Sequence, residues 1–152
     1  MKLYEKNLEL FAREHPVDAI KISQIGKSPY KPLGEDNLKM PWGPLYETDS
    51  EKEAADWFKS LSLSDTQVLY VYGVGLGAYY HPLKKWLSQD SSRHAVFFDD
   101  DLAMVKEFLK RPCAEDILND PQVSICYLND PSDVDGVLET LYWSFVLTRF
   151  KV

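Results

Sequence analysis

Three glycines and three consecutive aspartates carry most of what this sequence could do chemically. Gly73, Gly75 and Gly77 follow the short apolar run Val68 to Tyr72, and Asp99, Asp100 and Asp101 follow a second such run, Ala95 to Phe98. Glycine has no Cβ, so a turn built on three of them bends tightly and lets a ligand or a neighbouring backbone come close. A carboxylate ending the next strand is placed to accept from ribose hydroxyls, and Asp99 or Asp100 is the candidate for that acid. Asp101 precedes a run of helically spaced apolar residues and suits a helix cap. His81, just past the glycine turn, could meet a phosphate or carboxylate, although a solvated histidine fits the same position. Asn129, at the carboxyl end of a third predicted strand, lies where open α/β sheets hold ligands and where ordinary turn residues also fall.

The other reactive types are scattered. His15, His81 and His94 show no metal-ligand spacing, and no Ser/His/Asp order is visible. Cys113 and Cys126 form no C-x-x-C pair, and Cys126, between Ile125 and Tyr127, reads as a buried and inert thiol. The carboxylates could hold a hard cation such as Mg²⁺, but one ribose-type acid plus one cap is the preferred reading and no metal is expected.

Positioning these residues requires a sheet and its helices. Val68 to Tyr72 and Ala95 to Phe98 have the β-branched and aromatic content of strands buried on both faces. Between them Leu83, Trp86 and Leu87 give a helical apolar stripe, with Pro82 near its first turn. Leu102, Val105, Phe108 and Leu109 repeat that spacing, and Pro112 ends the helix. A short helical turn is expected over 114–119, and a third strand over 123–128. Strand, glycine turn, helix, strand and acid make up the first half of a nucleotide-binding βαβ unit.

Upstream, Leu3, Tyr4, Leu8 and Phe11 predict an amphipathic helix stopped near His15-Pro16. Alternation in 19–25 predicts a strand. Residues 26–50 are dense in Gly and Pro and predict loops or a hairpin, with a short strand over 43–46. Thr48, Asp49 or Ser50 caps the next helix, whose buried face uses Ala54, Ala55, Trp57, Phe58 and Leu61. Downstream, 129–135 reads as a turn-rich connection. Residues 137–150 are apolar nearly all round, predicting a helix that becomes a strand or docks elsewhere. The expected fold is α/β, a three-layer Rossmann-like arrangement around a mostly parallel sheet. An N-terminal helix and β/loop extension covers 1–50 and the core covers 51–152, together one compact domain of a longer protein.

Composition narrows the partners. The 152 residues carry 24 acidic against 17 basic side chains, a formal charge of −7. With no dense Lys/Arg cluster, non-specific nucleic-acid binding and anionic membrane surfaces are disfavoured, since both need phosphate-neutralising cations. No run approaches a membrane span, and two cysteines fit a reducing, cytoplasmic setting. The apolar C-terminal stretch predicts contact with a missing domain, a protein partner or a second copy.

Two resemblances follow from these motifs. Gly-Val-Gly-Leu-Gly is G-x-G-x-G, and with the acid after the second strand this half-site resembles that of Rossmann-like S-adenosylmethionine-dependent methyltransferases. There the turn passes under the methionine moiety and the acid takes the ribose hydroxyls; Ala78, Tyr79 and Tyr80 add bulk at the helix entrance here. Asp99-x-Asp101 is also similar to the DxD pattern of nucleotide-sugar glycosyltransferases. The order of features over 17–140 is more broadly similar to the N-terminal Rossmann-like domain of motility accessory factor (Maf) proteins. It runs from Gly-Pro-Leu-Tyr-Glu-Thr-Asp-Ser-Glu-Lys-Glu-Ala-Ala-Asp-Trp to Val-Leu-Tyr-Val-Tyr-Gly-Val-Gly-Leu-Gly-Ala-Tyr-Tyr-His-Pro-Leu, the acidic strand end, a Leu-x-x-Pro-x-Val turn near Leu118 to Val123 and a further strand.

That resemblance implies an accessory, non-catalytic domain of a glycosyltransferase-like protein acting on flagellin with nonulosonic sugars, contacting a partner domain or acceptor protein. The alternative is a domain that binds S-adenosylmethionine or a nucleotide at Gly73, Gly75, Gly77, His81, Asp99, Asp100 and Asn129. A third reading needs no ligand: the glycines let a strand turn sharply into a packed helix.

Overall fold

The computed structural model describes residues 2–47, 49–129 and 150–151. Helix α1 (Leu3–Ala12) opens the chain and buries Asn7 and Phe11. The strand expected over 19–25 is instead helix α2 (Pro16–Ser23). Proline at its first position costs no hydrogen bond and presets the helical φ. Ala19 and Ile22, three residues apart, face the core, whereas Ile20 is 59% exposed. The alternation of Ile20 and Ile22 was therefore a coincidence within a helical repeat.

The glycine- and proline-rich stretch folds into a small antiparallel sheet of β1 (Lys31–Pro32), β2 (Leu38–Met40) and β3 (Gly43–Pro44), in that order. Helix α3 (Ser50–Ser60) follows, capped by Asp49, whose side chain accepts from the Glu51 N–H at 2.9 Å.

The parallel sheet comprises β4 (Val68–Tyr72), β5 (His94–Asp99), β6 (Val123–Tyr127) and β7 (Phe150–Lys151), in the order β6-β5-β4-β7. Helix α4 (Tyr80–Ser88) connects β4 to β5. Helices α5 (Leu102–Leu109) and α6 (Cys113–Asn119) connect β5 to β6. Of the C-terminal stretch expected to be helical, only 150–151 is described, as a strand; residues 130–149 lie outside the described residues.

Period-two alternation divides the strand side chains between two clusters. Leu69, Val71, Ala95, Phe97 and Ile125 join the main core, which receives Phe11, Ala19, Ile22, Leu83, Val105, Phe108 and Ile117 from the helices. Val68, Tyr70, Val96, Phe98 and Leu128 form a second buried cluster on the opposite face, to which no described helix contributes. The described helices thus form one layer on one face of a parallel sheet.

Asn7 ties this layer together. Its Nδ2 donates to the carbonyls of Leu109 at 2.9 Å and Arg111 at 3.2 Å. The first is the last carbonyl of α5, and the second lies just past the helix, where it also accepts from the Ala114 N–H at 3.2 Å.

Candidate functional site

Backbone geometry puts all three glycines of the turn in the left-handed region, with φ of +98° at Gly73, +52° at Gly75 and +87° at Gly77. A side chain would be strained at each, but the three face different surroundings. Gly73 has open space where a Cβ would stand. At Gly77 a Cβ would lie 2.9 Å from Cys113 Sγ and 3.0 Å from Ile117 Cδ1, so this glycine lets α6 pack against the turn. At Gly75 a Cβ would lie 2.7 Å from the Tyr46 hydroxyl.

Tyr46 comes from the antiparallel sheet. Its hydroxyl accepts the Leu76 N–H at 3.0 Å, and burial pushes its pKa up to about 12, keeping the phenol neutral. Asn37 sets its backbone. The Asn37 Oδ1 accepts from Tyr46 N–H at 3.0 Å, and its Nδ2 donates to Tyr46 C=O at 2.8 Å. With Leu38, Met40, Leu76 and Met104, Tyr46 forms an apolar cluster between the small sheet, the glycine turn and α5. Tyr46 thus adds bulk over the turn itself, while Tyr79 and Tyr80 stand at the entrance of α4. Tyr79 meets Trp57 edge-on at 4.7 Å, and Tyr80 is buried with its hydroxyl on Asp120 at 2.6 Å.

The three aspartates have separate tasks. Asp99 is 5% exposed. Its Oδ2 accepts from Val74 N–H and its Oδ1 from Asp101 N–H, both at 3.0 Å. Burial pushes its pKa up to about 6, against the opposing pull of those two N–H groups. Asp101 caps α5, its Oδ1 accepting from Ala103 N–H at 3.0 Å, while its Oδ2 accepts from the Tyr30 hydroxyl. Asp100 is exposed, with the exposed Tyr72 hydroxyl as a neighbour.

The chain matches no family model, no curated protein and no solved structure.

The remaining candidates do not converge with Asp99. His81 is exposed on the first turn of α4 and lines, with Gly77, Tyr46, Arg111 and Cys113, a cavity of about 280 Å³ beside the turn. Asn129 is exposed just past β6. Cys126 is half-buried and burial raises its thiol pKa, which keeps it protonated. Among the described residues no three His, Cys, Asp or Glu side chains gather as a metal site would require, and no helix is long and apolar enough to cross a membrane.

Sequence reasoning missed Tyr46 and Asn37, the two residues that close over the turn. Their one sequence signal was position, in a Gly/Pro-punctuated stretch with turn chemistry for Asn37. Nothing local connects residue 46 to residue 75.

Proposed function

We propose that this chain is an accessory, non-catalytic Rossmann-like domain that presents binding surfaces to a partner domain or acceptor protein, as the Maf resemblance implies. The observation that carries this reading is the self-occupied turn. The groups that would meet a phosphate, a ribose or a methionine carboxylate are engaged by the chain itself: Val74 N–H by Asp99, Leu76 N–H by Tyr46, and the Asp99 carboxylate by two backbone donors. A ligand seated there has to displace a buried tyrosine.

The strand order supports the Rossmann-like part of the proposal. Three strands in the order third, second, first, with helices on one face and a further parallel strand beside the first, is how one half of a doubly wound sheet meets its switch point. The buried second face supports a third layer there.

One observation favours the alternative, a domain binding a nucleotide or S-adenosylmethionine. Gly73 is open where Gly75 and Gly77 are not, and exposed Asp100 stands one residue beyond the occupied Asp99. Titration calorimetry with S-adenosylhomocysteine and with a nucleotide sugar separates the two readings. No binding heat up to millimolar ligand is expected. Micromolar binding that Asp100→Asn weakens tenfold or more would replace the scaffold reading with the ligand-binding one.

A further inference from the structure

The cavity beside the glycine turn combines an apolar buried wall with charges of both signs. Tyr46, Leu76 and Gly77 are its buried lining. The polar atoms of that wall are engaged within it. Leu76 N–H donates to the Tyr46 hydroxyl at 3.0 Å, and the Leu76 carbonyl accepts from the Cys113 thiol at 3.3 Å. The rest of the lining is charged: Asp36 and Glu51 are exposed carboxylates, and Arg111 is half-buried.

Arg111 is the unusual member. Among the described residues it makes no ion pair, even with the two carboxylates that share the cavity. Its Nη1 donates to the Glu35 carbonyl, and its Nε is buried without a partner. A guanidinium withdrawn from water ordinarily takes a carboxylate on a two-donor edge, and a buried donor left without an acceptor is costly. Asp36 makes no ion pair among the described residues either. Glu51 has a local role, since an acid in the first turn of α3 complements the helix dipole, but Asp36 lies in the connection from β1 to β2. That connection is fixed: Leu33 N–H donates to Asn37 C=O at 3.0 Å, and Asn37 also holds the Tyr46 backbone. One device thus sets both the Asp36 carboxylate and the apolar wall, an arrangement that lowers the cost of binding.

The geometry points to a binding site for a free α-amino acid with an apolar side chain. Its carboxylate meets the Arg111 guanidinium, its ammonium meets Asp36 with Glu51 as a second acid, and its side chain lies against Tyr46, Leu76 and Gly77. A purely anionic ligand would face two carboxylates, and a purely cationic one would face Arg111. Only a ligand carrying both charges suits all three. At about 280 Å³ the cavity stands at the small end of ligand pockets, and like them it sets a few charged groups around an apolar interior. With the apolar end of the ligand innermost, it admits one such side chain but not a nucleoside or a sugar. S-adenosylhomocysteine and nucleotide sugars should therefore give no heat where an amino acid does. The inference goes beyond the scaffold reading, which needs no small ligand, and either can fail while the other stands.

Titration calorimetry with leucine and two analogues tests it. Leucine should give saturable heat below millimolar concentration. Isocaproate, which lacks the ammonium, and leucinamide, which lacks the carboxylate, should bind about tenfold more weakly or worse. Asp36→Asn should weaken leucine about tenfold and leave isocaproate unchanged. Arg111→Gln should weaken leucine to a similar degree and leave leucinamide unchanged. That selectivity is what a lost contact gives and a disturbed fold does not. In amide NMR spectra, leucine should shift Gly77 and Cys113. No heat from leucine, methionine or phenylalanine overturns the inference. So do analogues that bind as tightly as leucine, or shifts confined to residues away from Gly77 and Cys113.

Discussion

The Tyr46 hydroxyl and the α-carbon of Gly75 are fitted to each other: a Cβ on residue 75 would stand 2.7 Å from that oxygen and 3.6 Å from the ring carbon bearing it. The second distance is an ordinary contact, so the oxygen alone forbids a side chain. Gly75→Ala therefore carries two costs, the clash and a backbone φ of +52°. Together these should destabilise the chain by about 2–4 kcal/mol. Tyr46→Phe alone should cost about 1–2 kcal/mol, through the unpaired Leu76 N–H. In the double variant the clash is gone, and the combined loss should fall short of the sum by about 1 kcal/mol or more. Strict additivity in urea unfolding would mean that the hydroxyl does not sit over the turn.

Asp99 gives a pH signature of known sign. Burial lifts its pKa from the ordinary 3.8 to about 6, so between those values the folded chain holds a proton that the unfolded chain has released. This group's contribution to stability falls as pH rises through that window. Asp99→Asn removes the titration. The stability gap between wild type and variant should move by about 2–3 kcal/mol in the variant's favour from pH 4 to pH 7. Parallel stability curves across that range would contradict the burial of the ionised carboxylate.

Much of this arrangement was readable in the sequence, and the exceptions have physical causes. Buried strands declare themselves through continuous apolar runs, so β4, β5 and β6 were found with their glycine turn. The cap at Asp101 was found, and that of α3 was narrowed to Thr48, Asp49 or Ser50, of which Asp49 serves, because a short acceptor before an apolar stripe has few other uses. Helix α2 was misread as a strand because over seven residues a helical stripe and an alternating one share positions. Pro16 was the deciding clue. The closure by Tyr46 was not legible, since it joins residues 30 positions apart through one hydroxyl. Chemical type told which residues could bind something, but not that the chain binds them itself.

Asn37 should prove more important than its place in a turn suggests. Replacing it with Asp keeps the acceptor that receives Leu38 N–H and Tyr46 N–H but removes the donor to Tyr46 C=O at 2.8 Å. A loss of about 1–3 kcal/mol is expected. Tyr46 should loosen with it, seen as faster amide exchange at Leu76. A stable variant with unchanged protection at Leu76 would show that Asn37 does not position the tyrosine.

Gly77 should be the least replaceable glycine of the turn. Its absent side chain is flanked by Cys113 Sγ at 2.9 Å, Ile117 Cδ1 at 3.0 Å and Phe108 Cε2 at 3.2 Å, at a φ of +87°. Gly77→Ala should cost about 3 kcal/mol or more, because overpacking and backbone strain add. Gly73→Ala meets open space and should cost only the strain, about 1–2 kcal/mol. Thermal melts of the two variants should rank in that order.

The bonds from Asn7 to Leu109 and Arg111 span 102 and 104 residues. On a ribosome, α1 emerges long before either carbonyl exists, so the first helix of the chain has to wait for its mates. Helix α1 can pack early on its neighbour α2, but the Asn7 bonds that fasten this pair to the end of α5 should be among the last contacts to form.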